Sequence, residues 1–195
     1  LEIKYLPELP EDYNEAMAVF DAFLEGPPRW LVKENLMCSD VRIKPLIKNC
    51  SLREADGKKV IRIRNTPWGG NSVTYTINPD PDLYNDNSDK QTFTDVLLKK
   101  ILDNLAKYPT YDGVFSDSFH GWGRSPNYRT EHFKYADVPL SHDDQGRIYL
   151  YNMASHWEWL MELKKRIEPY GALVMGNGVR PDSKQVFISS GLDVL

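Results

Sequence analysis

Apolar side chains recur at helical spacing in three stretches of the chain and alternate or cluster in short runs between them. From Pro10 to Glu25, Tyr13, Met17, Phe20 and Leu24 fall on one face, with Glu11 and Asp12 in the first turn and Gly26-Pro27-Pro28 as the stop. A second amphipathic helix is expected over Asp89 to Lys107, where Phe93, Val96, Leu97, Ile101, Leu102 and Leu105 share a face. A third is expected from about Asn152 to Glu168.

The runs Val41 to Ile47, Val60 to Arg64 and Ser72 to Ile77 predict strands, with Asp56-Gly57 as a hairpin turn between the first two. Asn78-Pro79-Asp80-Pro81-Asp82 must be a loop, because its two prolines lack donors and push their predecessors to extended conformations. Tyr111 to Asp117 reads as a buried strand that turns polar at its carboxyl end. A long polar, aromatic loop follows from His120 to Arg147. Ala172 to Met175 is again apolar and again ends in polar residues, Asn177 and Gly178, and Val186 to Ser190 or Leu192 to Leu195 repeats the theme.

Strand, helix, strand, helix at this spacing is the pattern of parallel βα units with right-handed crossovers. A complete eightfold barrel takes about 250 residues, more than the 195 present. The expected fold is α/β, a partial TIM-type (β/α) barrel with parallel strands and a β-hairpin inserted near the N-terminal half. The chain reads as a single domain over 1–195, a fragment of a larger (β/α)8 catalytic domain, with the remainder of the parent polypeptide as its partner.

Composition narrows the function. Acidic residues number 28 against 24 basic, a net charge of -4, and no Lys/Arg cluster is long enough to track phosphates, which argues against nucleic acid. Apolar runs such as Ala172-Leu173-Val174-Met175 are too short to cross a bilayer. Five Trp and 11 Tyr against 7 Phe favour rings with a hydrogen-bonding handle, suited to wet, ring-shaped ligands. Cys38 and Cys50 make neither a disulfide framework nor a metal spacing and read as buried thiols. Leu1 opens the chain with no leader pattern, so localisation is unreadable, with secretion or the periplasm slightly favoured over the cytoplasm.

In a βα fold, reactive side chains project from the carboxyl ends of strands. Asp117 holds that position after Gly113-Val114-Phe115-Ser116, and a carboxylate there serves as nucleophile, general acid or substrate anchor, or else caps the next element. Asn177 holds the matching place one unit on, where its amide can hold a sugar hydroxyl, orient a carboxylate or make an ordinary Asn-Gly turn. Asp193 reads equally as a strand residue whose partner lies beyond Leu195.

Trp68 sits on a glycine-rich loop with Asn71, followed by Asp80 and Asp82; His120 and Trp122, with Ser118, repeat the combination after Asp117. An exposed indole offers a flat face to a pyranose while Asn and Asp take its hydroxyls. These are the candidate substrate-binding residues, unless Trp68 is core and the Pro-Asp run a rigid loop.

No cofactor motif is present, and no metal ligand set is assigned. His120, His132, His142 and His156 lack zinc spacing, and Asp80, Asp82 and Asp86 lack the glycine and closing Glu of a calcium loop. His142-Asp143-Asp144-Gln145-Gly146 reads as a turn.

The Tyr-Asp-Gly-Val-Phe-Ser-Asp-Ser stretch (111–118), the Asn-Pro-Asp-Pro-Asp loop (78–82) and the Val-Met-Gly-Asn-Gly strand end (174–178) together resemble the catalytic half of bacterial (β/α)8-barrel glycoside hydrolases over about Thr66 to Leu195. The resemblance implies a hydrolase of oligo- or polysaccharides with Asp117 as a catalytic carboxylate and Asn177 as its rim companion. The chain departs from that pattern in having no Glu at a strand end after Asp117. Glu158 and Glu162 lie on a helix and Glu168 at a helix end, so the second carboxylate is expected beyond Leu195, and inactivity of the fragment alone would follow from its absence. Two rivals stand beside this reading: a metal-dependent barrel hydrolase or lyase in which Asp80, Asp82 and Asp117 converge on an ion, and a non-catalytic carbohydrate-binding domain.

Overall fold

The computed structural model describes residues 2–25, 43–67, 70–87, 89–116, 125–177 and 189–194. They divide into two compact units, 1–77 and 78–195, where the sequence pattern alone suggests one continuous domain.

In the first unit, β1 (Glu2–Leu6), β3 (Gly70–Tyr75) and β2 (Ile61–Thr66) form an antiparallel sheet in the order β1-β3-β2. The β2–β3 pair runs in unbroken register from Ile61 opposite Tyr75 to Thr66 opposite Gly70, the geometry of a hairpin. Helix α1 (Tyr13–Glu25) buries Ala16, Phe20 and Phe23 against Ile3, Leu6, Val73 and Tyr75. The rings of Phe20 and Tyr75 meet at 3.9 Å.

Residues expected to be a strand over Val41 to Ile47 instead enter helix α2 (Ile43–Cys50). Leu46, Ile47 and Cys50 are buried at helical spacing, while Pro45 sits in the first turn, where a missing N–H costs nothing. The Asp56-Gly57 turn does form: the Gly57 N–H donates to the Glu54 carbonyl at 2.9 Å and the Lys58 N–H to Asp56 Oδ1 at 2.9 Å. Its incoming arm is the segment after α2, with Arg53 bridging Lys59.

The second unit holds a parallel pair, β4 (Gly113–Ser116) with β8 (Leu173–Gly176). Helices α3 (Phe93–Lys107) and α4 (Asn152–Ile167) pack on it through Leu98, Leu105, Trp159, Leu160, Leu163 and Ile167, against Val114 and Val174. A capping box starts α3: the Asp95 N–H donates to Thr92 Oγ1, and the Thr92 N–H donates to Asp95 Oδ2 at 2.9 Å. A second small sheet, β5 (Pro126–Asn127), β7 (Ile148–Tyr151) and β6 (Ser141–His142) in the order β5-β7-β6, is antiparallel. The segment expected to be one long loop to Arg147 therefore carries, within its described part, two strands and a 3-10 helix over Thr130–Tyr135.

The partial TIM-type barrel is not found. Among the described residues one two-stranded sheet is parallel, joined by a single parallel bridge from Met175 to Val194, and the other two sheets are antiparallel. In the first unit β2 and β3 follow each other with too few residues between them for a crossover, so they pair antiparallel, whereas a barrel strand needs a crossover before each parallel successor. No helix of the described residues is long and apolar enough to cross a membrane.

Candidate functional site

The loop after residue 77 builds itself from its own side chains. Asn78 Oδ1 accepts the Asp80 N–H at 3.1 Å and Asp80 Oδ1 accepts the Asp82 N–H at 2.9 Å, two Asx turns in succession with a proline inside each. Thr94 from the first turn of α3 donates its hydroxyl to the Pro79 carbonyl. The loop ends at Tyr84, whose backbone has φ 62°, a left-handed conformation costly for a ring-bearing residue. The ring is held on several sides: Lys90 lies 3.9 Å over it, His132 and Tyr135 meet it edge-on, and its hydroxyl donates to Glu131 at 3.1 Å.

This clamped loop buries a carboxyl group. Asp80 is 1% exposed, and its Oδ2 has no hydrogen-bond partner among the described residues. Glu158, on α4 and 8% exposed, accepts the Asp137 N–H on Oε1 at 2.9 Å, while its Oε2 likewise lacks a partner among the described residues. Burial pushes the Asp80 carboxyl up to about 7, aided by the charges of Asp82 and Asp137 against the pull of the Asp82 N–H. Burial pushes Glu158 up to about 8, with the Asp80 charge the next cause and Asp137 and Asp82 adding to it. The charged groups acting most strongly on both are carboxylates. Near neutral pH such a pair retains one proton while giving up the other, and the carboxyl group kept neutral in this way is a proton donor.

Helix α4 carries further buried polar atoms near Glu158 in sequence. Ser155 and Trp159 are three positions before and one after Glu158, and Ser155 Oγ and Trp159 Nε1 are buried with no partner among the described residues. Behind the loop, His132 is fully buried, and its Nδ1 lies 3.3 Å from Asn78 Nδ2 and 3.1 Å from Asn127 Nδ2.

The sequence candidates fare unequally. Asp80 and Asp82 share the loop, but Asp80 is buried where a substrate contact was expected, and Asp82 is half-buried. Asn71 lies in the first unit, and its amide ties strands together: Nδ2 donates to the Leu6 carbonyl at 3.3 Å and Oδ1 accepts from Asn65 Nδ2 at 2.7 Å. Asn177 is exposed and extends the β4–β8 pairing, its N–H donating to the Ser116 carbonyl at 3.4 Å. Asp117, Trp68, Ser118, His120 and Trp122 lie outside the described residues.

Glu158, His132 and Asn127 belong to the cluster without having been singled out by sequence. The signal for Glu158 was available: Asn152, Ser155 and Glu158 repeat at three-residue steps on a helix whose face is otherwise apolar. Among the described residues no group of three or more His, Cys, Asp or Glu is arranged to hold a metal ion. No family model, curated protein or solved structure matches this chain.

Proposed function

We propose that this chain is the acid/base part of a glycoside hydrolase acting on an oligo- or polysaccharide, with Glu158 as general acid and an ionised carboxylate, Asp80 or Asp117, as its counterpart. The observation that carries the reading is the Asp80–Glu158 pair, two buried carboxyl groups pushed up to about 7 and about 8, each with one oxygen unengaged among the described residues. Glycosidic cleavage needs one neutral carboxyl to protonate the departing oxygen and one ionised carboxylate to attack or to activate water. Neighbours of like charge divide those roles by making the second ionisation harder than the first. Asp117 stays in the proposal on the resemblance of residues 111–118 alone.

The test is hydrolysis of a panel of aryl glycosides and oligosaccharides by the parent protein and by Glu158→Gln, Asp80→Asn and Asp117→Asn. Loss of about 10³-fold in turnover of natural linkages by Glu158→Gln, with much smaller loss on aryl glycosides whose leaving groups need no proton, supports the acid role. Unchanged turnover by that variant removes Glu158 from the chemistry.

A second reading, a non-catalytic carbohydrate-binding domain, is favoured by one surface feature. Tyr108 and Tyr111 stack with ring centroids 5.1 Å apart, and both are exposed after α3, as flat faces for pyranose rings would be. Sugar binding that Tyr111→Ala abolishes, with no turnover of any substrate, selects this reading.

A further inference from the structure

A fully buried polar group in the second unit that the acid/base reading does not use is His132. Its imidazole sits between two side-chain amides whose orientations are fixed independently. Asn78 Oδ1 is committed to the Asp80 N–H at 3.1 Å, which turns Asn78 Nδ2 toward His132; Asn127 Oδ1 is committed to the Arg129 N–H at 3.1 Å, which turns Asn127 Nδ2 the same way. Two donors therefore converge on Nδ1, so Nδ1 must carry a lone pair and the ring proton resides on Nε2. All three side chains are fully buried.

We infer that His132 is a positioning residue: as a fixed acceptor at Nδ1 it holds the Asn78 amide, and through it the Asp80 N–H and the direction in which Asp80 Oδ2 points. The chain of contacts runs from His132 Nδ1 to Asn78 Nδ2, through that amide to the Asp80 N–H, and from Asp80 Oδ1 to the Asp82 N–H. Remove the acceptor and two amide donors are left facing each other in a buried space, so the Asx turn loosens and Asp80 gains water. The charged groups bearing on Asp80 are Asp82 and Asp137, and Asp80 in turn bears on Glu158.

The inference rests on the acid/base reading for its catalytic consequence but not for its test. Asn and Gln separate the two ring nitrogens: the amide of Asn overlays Nδ1, that of Gln overlays Nε2. His132→Asn and His132→Gln would be compared with the parent by 13C NMR titration of the Asp80 carboxyl, which needs no substrate, and by the pH profile of turnover. The expected result is that His132→Gln moves the Asp80 midpoint down by about one unit or more, toward the ordinary carboxylate range, while His132→Asn stays close to the parent. If the two variants titrate alike, or if neither moves Asp80, His132 does not position it and the inference falls. If Asp80 responds as stated while no glycoside is hydrolysed, the positioning role stands and the hydrolase reading falls. In the active protein, His132→Gln is expected to lower kcat about tenfold or more with KM within about threefold, and to shift the acidic limb of the pH profile with the Asp80 midpoint.

Discussion

Lys164, in the last turn of α4, closes to 2.6 Å on the carboxylate of Asp193, whose Oδ2 accepts the Val174 N–H at 2.8 Å. Read from sequence alone, Asp193 is either a candidate carboxylate at the end of an apolar run or a strand residue with a partner beyond Leu195; among the described residues its partners are on α4 and β8, and it fastens the 189–194 segment beside the parallel pair. Its acidity follows. The Lys164 ammonium, then the Val174 N–H, hold Asp193 below the usual carboxylate range. A depressed folded-state value gives stability that is present above the unfolded value, near 4, and is lost as pH falls through the folded one. With the ion pair screened by solvent, Asp193→Ala is expected to cost about 1 kcal/mol at pH 7 in urea unfolding, chiefly from the lost acceptor for the Val174 N–H, with a smaller difference from the parent at pH 3.

Asp80 has the opposite sign. Its folded value, raised to about 7, means that the folded chain keeps a proton which the unfolded chain gives up. That contribution is complete below about pH 4 and fades as pH rises toward 7 and beyond. Urea midpoints are expected to fall between pH 5 and pH 8. Asp80→Asn, an isostere of the neutral acid that still accepts the Asp82 N–H, is expected to flatten that slope and to be more stable than the parent at pH 8 by about 2 kcal/mol. An equal slope in both proteins would show that Asp80 is ionised in the folded state.

The capping box on α3 gives a stability prediction independent of any charge near the site. Thr92 is buried, and its hydroxyl satisfies the Asp95 N–H. Thr92→Ala should lower stability by about 1–2 kcal/mol, and Thr92→Ser by well under half of that, as read from urea unfolding.

Gly113 fixes how closely β4 and β8 approach. A Cβ there would run into the Leu173 carbonyl oxygen and also meet the Leu173 N at 3.1 Å, both of them backbone atoms that cannot rotate away. Gly113→Ala is expected to destabilise the protein by about 3 kcal/mol or more, or to prevent folding. The same change at Gly146, where φ is 75° and nothing lies within 4 Å, should cost only about 1 kcal/mol of backbone strain. Comparing the two by circular dichroism and thermal melting separates collision from conformational cost.

Local chemistry alone determined a good part of this protein. The positions of α1, α3 and α4 along the chain, the Asp56-Gly57 turn and the polar turn over 142–146 are where spacing and turn residues put them, because each depends on neighbours within a few positions, whereas the buried faces of α1 and α3 centre on Ala16, Phe20 and Phe23 and on Leu98 and Leu105 and share only Phe20 and Leu105 with the expected ones. The Asn78–Asp82 loop belongs with them, since its Asx turns are made by side chains two residues from the backbone they hold.

Strand β1 was not legible: Ile3 and Leu6 are its buried residues, and the register shift between them, beside Tyr5 at φ 59°, breaks the alternation by which a strand is read. Residues 43–50 carry β-branched side chains yet form a helix, because burying Leu46, Ile47 and Cys50 on one face outweighs a propensity difference of a fraction of a kcal/mol per residue. Whether strands lie parallel or antiparallel depends on which edge each run meets, so among the described residues the barrel expected from the order of elements gives way to an antiparallel sheet in one unit and to one parallel pair and a small antiparallel sheet in the other. The cluster at Asp80 is tertiary in the same sense. A composition of aspartates and one helical glutamate says nothing of acidity; only folding, by burying Asp80 and bringing Glu158 within reach of its charge, turns two ordinary carboxylates into groups that hold protons near neutral pH.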